Sequence, residues 1–161
     1  MMKARTEPVR AGVGSDRGEA LNWIGELTIL RVTGEESGGR YTLAEVWVTP
    51  EGLVPLHVHH REDEAFYVLE GDLTFYVGDR TYEAPAGSFV FGPRDVPHRY
   101  VVNSPTARLL MIFSPAGFEE FIRGTSVPAE SLTPPAPGEY EVDFEAVLAC
   151  AAACGSEVLE D

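Results

Sequence analysis

Residues 57–71 read HVHHREDEAFYVLEG. In an extended chain alternate side chains share a face, so His57 and His59 project to one side and His60 to the other. Two imidazoles on one strand face are a common beginning for a metal site, because neutral imidazole binds Zn, Cu, Fe and Ni well. Glu64 follows at a distance that lets the chain turn and bring a carboxylate back. Ala65–Glu70 then reads as a strand, and Gly71-Asp72 signals a hairpin into Leu73–Val77. If Glu64 points inward, so do Phe66 and Val68 by alternation. Such a hairpin places Leu73, Phe75 and Val77 on that same face.

Working outward, the strand pattern continues on both sides. Leu21–Val32 reads as one or two strands, residues 34–39 (GEESGG) as a turn, and Tyr41–Val48 as a strand rich in β-branched and aromatic residues. Gly78-Asp79 marks a turn into Arg80–Glu83, and Ser88–Phe91, His98–Val102 and Arg108–Phe113 complete the set. Short strands separated by Gly, Pro and Asp at near-regular spacing predict an all-β sandwich or barrel. No internal repeat is visible, which argues against a duplicated two-barrel chain.

His98 opens a strand after a Pro93-Arg94-Asp95-Val96-Pro97 turn. By parity it shares its face with Tyr100 and Val102. Two spaced motifs now stand out. The first is Gly52, four residues, His57-Val58-His59, four residues, Glu64, six residues and Gly71. The second is Gly87, five residues, Pro93-Arg94-Asp95, two residues, His98, four residues and Asn103. Together they resemble the paired motifs of the cupin superfamily over 52–103, about a third of the chain. The first gap is one residue short, Asn103 sits one place late, and Asp95 replaces a turn glycine; Asp tolerates a left-handed backbone better than most residues. Stretches such as SPAGFEEF (114–121) extend the resemblance to single-domain bacterial cupins of the quercetin-dioxygenase-like kind.

The resemblance implies a cupin double-stranded β-helix, or jelly-roll, barrel with a short C-terminal helical extension. It implies that His57, His59, Glu64 and His98 hold one divalent transition metal (Fe, Ni, Mn, Co, Cu or Zn). Glu64 is read either as a fourth ligand or as a base beside the metal. Glu62 is its rival in the same acidic run, but the spacing to Gly71 favours Glu64. The pocket would be walled by Phe66, Phe75 and Tyr100. The implied activity is a dioxygenase reaction on a flavonol-like or other enolisable aromatic substrate. A redox-neutral cyclase, isomerase or lyase, and a non-enzymatic ligand-binding or metal-sensing module, are the alternatives, since one fold hosts many functions.

The organisation expected is a loose N-terminal segment over 1–19, a barrel over 20–115 and a C-terminal extension over 116–161. In the extension, residues 117–123 (GFEEFIR) read as a short helix burying Phe118, Phe121 and Ile122. Pro128 to Gly138 carries four prolines and reads as an extended linker. Asp143 caps a second helix, which Gly155 ends; its Phe144, Val147, Leu148 and Ala151 form an apolar stripe expected to cover something structural. Cys150 and Cys154 lie one helical turn apart, poorly placed for a bridge, and read as small apolar residues.

The chain has 161 residues and a formal net charge of −14. So acidic a surface repels polyanions and argues against nucleic acid or an anionic membrane as partner. No apolar run is long enough to span a bilayer, and the first residues lack the apolar stretch of a secretory signal. A cytoplasmic protein acting on a small molecule is expected. Cupins are often dimers, so a homodimer is the expected assembly, although no residue pattern by itself specifies it.

Overall fold

The computed structural model describes residues 18–52 and 54–160. The N-terminal segment expected to be loose therefore lies outside the described residues, apart from Gly18 and Glu19. Twelve strands form two antiparallel sheets. In chain order they are β1 (Glu19–Trp23), β2 (Glu26–Val32), β3 (Thr42–Val48), β4 (His57–His59), β5 (Asp63–Glu70), β6 (Asp72–Val77), β7 (Arg80–Pro85), β8 (Phe89–Gly92), β9 (His98–Val102), β10 (Ala107–Ser114), β11 (Ser126–Pro128) and β12 (Ser156–Val158). One sheet runs β11-β1-β2-β3-β10-β5-β8 and the other β12-β4-β9-β6-β7. The inner faces of the two sheets close on one apolar core, as in a jelly-roll barrel. Among the described residues no helix is long and apolar enough to cross a membrane.

The predicted hairpin at Gly71-Asp72 is not one. β5 pairs with β10 and β8, whereas β6 pairs with β9 and β7, so the chain changes sheets at Gly71. Gly71 has φ +86°, and a Cβ there would come within 2.6–2.7 Å of Ser104, Thr106 and Ala107. Only glycine admits that close approach in a left-handed conformation. The facing of the side chains is nonetheless as expected. Phe66, Val68, Leu73, Phe75 and Val77 are all buried, because the inner faces of both sheets look into one barrel. The turn at Gly78-Asp79 does form a hairpin, between β6 and β7, closed by Val77 and Arg80.

Residues 34–39 also differ from a simple turn. Gly34–Ser37 make one turn of helix, α1, because Glu36 reaches back to the Thr33 backbone N–H at 2.9 Å, as in a capping box. Asp95 adopts φ +64°, as its side chain permits. Ile24, a β-branched residue, also has positive φ (46°) in the two-residue turn between β1 and β2. That is an outlying conformation.

The segment after Ser114 contributes to both sheets. Helix α2 (Glu119–Gly124) buries Phe121 and Ile122, and Phe118 packs just ahead of it. The buried Glu119 carboxylate accepts hydrogen bonds from Gly34 N, Gly117 N and the Thr42 hydroxyl, tying this region to the barrel. β11 extends the larger sheet beside β1. Helix α3 (Phe144–Ala153) is capped by Asp143, whose side chain accepts from Ala146 N at 3.0 Å. Its buried side is not the predicted stripe. Val147 and Ala151 pack on the core together with Cys150 and Cys154, while Phe144 and Leu148 are half exposed. After Gly155 the chain forms β12, an edge strand beside β4 with Ser156 opposite His59.

Candidate metal centre

The four residues singled out from the sequence meet between the sheets. His57 and His59 come from β4, and His98, opposite His57, opens β9 in the same sheet. Glu64 comes from β5 in the other sheet. One ligand atom from each lies within 4.8 Å of all the others. His59, Glu64 and His98 are buried; His57 is partly open.

The contacts behind the imidazoles decide what faces the centre. His57 Nδ1 lies 2.8 Å from the Pro55 carbonyl, and His98 Nδ1 3.0 Å from the Val96 carbonyl. A carbonyl can only accept, so both Nδ1 atoms carry the hydrogen. His59 Nδ1 donates to Glu62 Oε1 at 2.8 Å, with Ser156 Oγ 3.0 Å away. All three Nε2 atoms are thereby left for the centre, the usual arrangement of metal-binding histidines.

Those Nε2 atoms converge on Glu64 Oε2, at 2.9 Å from His98, 3.0 Å from His59 and 3.9 Å from His57. His59 Nε2 is buried and, for all its proximity, makes no hydrogen bond among the described residues. Three lone pairs and a carboxylate aimed at one point repel unless something positive sits among them. Protons are one solution. Burial alone would lower the His59 imidazolium, but Glu62 and Glu64 outweigh it and raise its pKa to about 9. Burial likewise opposes ionisation of Glu64, yet the surrounding imidazoles hold its carboxyl well below the usual range. A divalent cation is the other solution. Two ligands each about 2.1 Å from one ion, at right angles, are about 3 Å apart, which is the Glu64 spacing to His59 and His98. The residues therefore fit a metal ion.

Two supporting residues were not singled out as functional from sequence. Glu62, the rival candidate for Glu64, instead holds the far side of His59 and is itself buried. Ser156 does the same from the C-terminal strand. His60 faces away, half exposed, beside Asp95 and Glu157.

A cavity of about 90 Å³ opens beside the cluster. Phe66 and Tyr100 line it; Phe75 stands behind them with ring centroids 4.9 and 5.5 Å away. Trp23, Phe118, Val147 and Ala151 supply further apolar wall, so α3 and its surroundings border the site. A larger groove of about 630 Å³ lies outside, between the barrel mouth and residues 135–148. It shares Ile24, Val54, Tyr100 and Val147 with the inner cavity.

Comparison with known proteins agrees with this geometry. Residues 44–113 match the sequence profile of the cupin domain. The chain is 30% identical over 74 residues to the quercetin 2,3-dioxygenase of Bacillus subtilis, covering 46% of this chain and 22% of that enzyme. It is 28% identical over 120 residues to the quercetin 2,3-dioxygenase of Aspergillus japonicus, covering 68% of this chain and 34% of that enzyme. The chain thus spans about a fifth to a third of the length of these two relatives. An RmlC-like cupin from Shewanella frigidimarina superposes with a TM-score of 0.57 at 21% identity, covering 68% of this chain and 94% of that structure. The nucleoside dehydratase Pac13 gives 0.54 at 17% identity, covering 76% of this chain and 92% of that structure. At such identities the structural likeness speaks for the fold alone. With both motifs, the two-sheet barrel and this match in place, residues 44–113 are a cupin domain.

Proposed function

We propose that this cupin is a metal-dependent oxygenase acting on a small enolisable, aromatic-type substrate. The observation that carries the reading is the convergence of three Nε2 atoms on Glu64, with every Nδ1 held from behind. Local similarity to two quercetin 2,3-dioxygenases supports the choice of reaction class. A divalent transition metal at this site would supply an open coordination position and Lewis acidity.

The chain's own residues do the rest. His57, His59 and His98 would hold the ion. Glu62 and Ser156 keep the His59 ring in place, which matters because a buried imidazole that rotates loses its aim. Glu64 Oε2 accepts the proton of a substrate hydroxyl brought to the cluster, leaving the substrate as its more electron-rich anion. Apolar wall from Trp23, Phe66 and Phe118 keeps water from competing for that proton.

Cavity size bears on the substrate. An apolar cavity of about 150 Å³ holds a benzene molecule, so about 90 Å³ takes only a few heavy atoms. A flavonol would have to seat one end beside the cluster and leave its body in the outer groove. A compact substrate would fit the inner cavity more simply, and this favours a redox-neutral isomerase or lyase as the second reading. Elemental analysis of the protein purified without added metal, followed by O2 uptake with flavonols and small enediols, separates the two. O2 consumed in step with substrate supports the oxygenase; turnover without O2 uptake supports the second reading and overturns the first.

A further inference from the structure

Among the described residues, Glu26 is the one carboxylate in the cavity wall that belongs neither to the cluster nor to its support. It opens β2 opposite Trp23, so both side chains face the interior. Glu26 is only 5% exposed, and among the described residues nothing hydrogen-bonds its Oε1. A buried carboxyl oxygen left so costs stability. Gly52 makes room for it: a Cβ at Gly52 would fall 2.1 Å from Glu26 Oε1. A leucine would fill the same place in this apolar wall at no such cost.

We propose that Glu26 is a ligand-recognition residue, its carboxyl hydrogen-bonding an uncharged acceptor oxygen of a small molecule seated between it and the His57–His59–Glu64–His98 cluster. The inference rests on reading that cluster as the metal centre of a small-molecule site. The surroundings set the chemistry of the ligand. In a cavity wall shared with Trp23, Val54 and Phe66, and with no cation in contact among the described residues, Glu26 is held as the neutral acid: burial raises its pKa from 4.5 to about 8. A neutral acid donates. Its hydrogen suits a carbonyl or ether oxygen, which has a lone pair and no hydrogen of its own to offer. The ligand class is therefore a compact, largely apolar molecule with one acceptor oxygen directed at Glu26 and its reacting end at the cluster.

The test uses the full chain, metal-free and zinc-loaded, with acetone and its isostere isobutene as probes, each of four heavy atoms. Binding is followed by NMR shifts at Trp23 and Met111, which line the cavity. Wild type should prefer the ketone. Glu26→Gln keeps an N–H donor and should keep the preference; Glu26→Leu should weaken ketone binding by about three- to tenfold, the worth of one hydrogen bond, without weakening the alkene. A Glu26→Leu protein that retains the ketone preference, or shifts confined to residues outside the cavity, overturns the inference. Zinc stoichiometry is measured on the same samples. Ketone preference governed by residue 26 without zinc uptake supports the inference while sinking the metal-centre reading. Normal zinc uptake with a preference indifferent to residue 26 does the reverse.

Discussion

Replacing Glu26 by Gln should change how the stability of the protein depends on pH. The folded carboxyl titrates at about 8 and the unfolded one near its ordinary 4.5. Because the folded value is the higher, the folded chain binds the proton more tightly. The contribution is fully present below pH 4.5 and is lost as pH rises through about 8. Each unit of that difference is worth about 1.4 kcal/mol. Relative to Glu26→Gln, which cannot ionise, wild type should be about 3 kcal/mol less stable at pH 7 than at low pH, and about 5 kcal/mol less stable above pH 9. Against a total of about 5–15 kcal/mol for a domain, that is a large share. The assay is equilibrium urea unfolding of both proteins, metal-free, from about pH 5 to about pH 9. Both proteins are kept metal-free so that they differ only in the side chain at position 26. A gap between the two proteins that stays constant across the range would refute the assignment of a neutral buried acid at this position.

Alanine at His57, His59 or His98 should sharply lower metal content while circular dichroism still reports a folded barrel; full occupancy in all three variants would refute the ligand assignment. Glu64→Gln should retain most of the metal yet lose about two to four orders of magnitude in turnover, the usual worth of a positioned proton acceptor; metal lost in proportion to activity would make Glu64 chiefly a ligand. Glu62→Ala and Ser156→Ala should each weaken metal affinity by about 10–100-fold, as loss of a partner behind a ligating histidine does, with titration against a competing chelator as the measurement. Truncation after Gly138 should lower both melting temperature and metal affinity, because it removes the α3 wall and Ser156 together; an unchanged affinity would show that Ser156 is dispensable.

Much of the fold was legible because short strands, turn residues and period-two alternation recur from Leu21 to Phe113. The error at Gly71 shows the limit of that reading. A glycine-aspartate pair between two strands signals a reversal of direction, but local pattern does not say whether the second strand pairs with the first or crosses to the opposite sheet. Facing survived the error because a barrel interior is shared by both sheets. Helix α3 failed for a related reason. Phe144 and Leu148 are apolar and lie at helical spacing from Ala151, yet they line an open groove rather than the core. Hydrophobicity alone cannot separate a residue that packs from one that waits at a groove; the two cysteines, read as small apolar residues but left out of the stripe, mark the packed side.

The site divides in the same way. His57, His59, Glu64 and His98 were legible because metal chemistry restricts which residue types serve and because three of them sit within eight positions of one another. Glu26 and Ser156 carry no such mark. Ser156 reaches His59 across 97 positions of sequence, through an edge strand only three residues long. Glu26 is a carboxylate at the start of a strand, where a surface residue would look no different. Yet a cluster able to hold a metal does not by itself specify what a chain binds, since one fold hosts many functions. Side chains outside the two motifs also reach the same cavity and can set what it accepts. Among them are Glu26 from the first hairpin, Phe118 from the approach to α2, and Val147 and Ala151 from α3. All of them lie beyond residues 52–103, so exchanging them while keeping the ligands should alter which ligand is bound without altering how the metal is held.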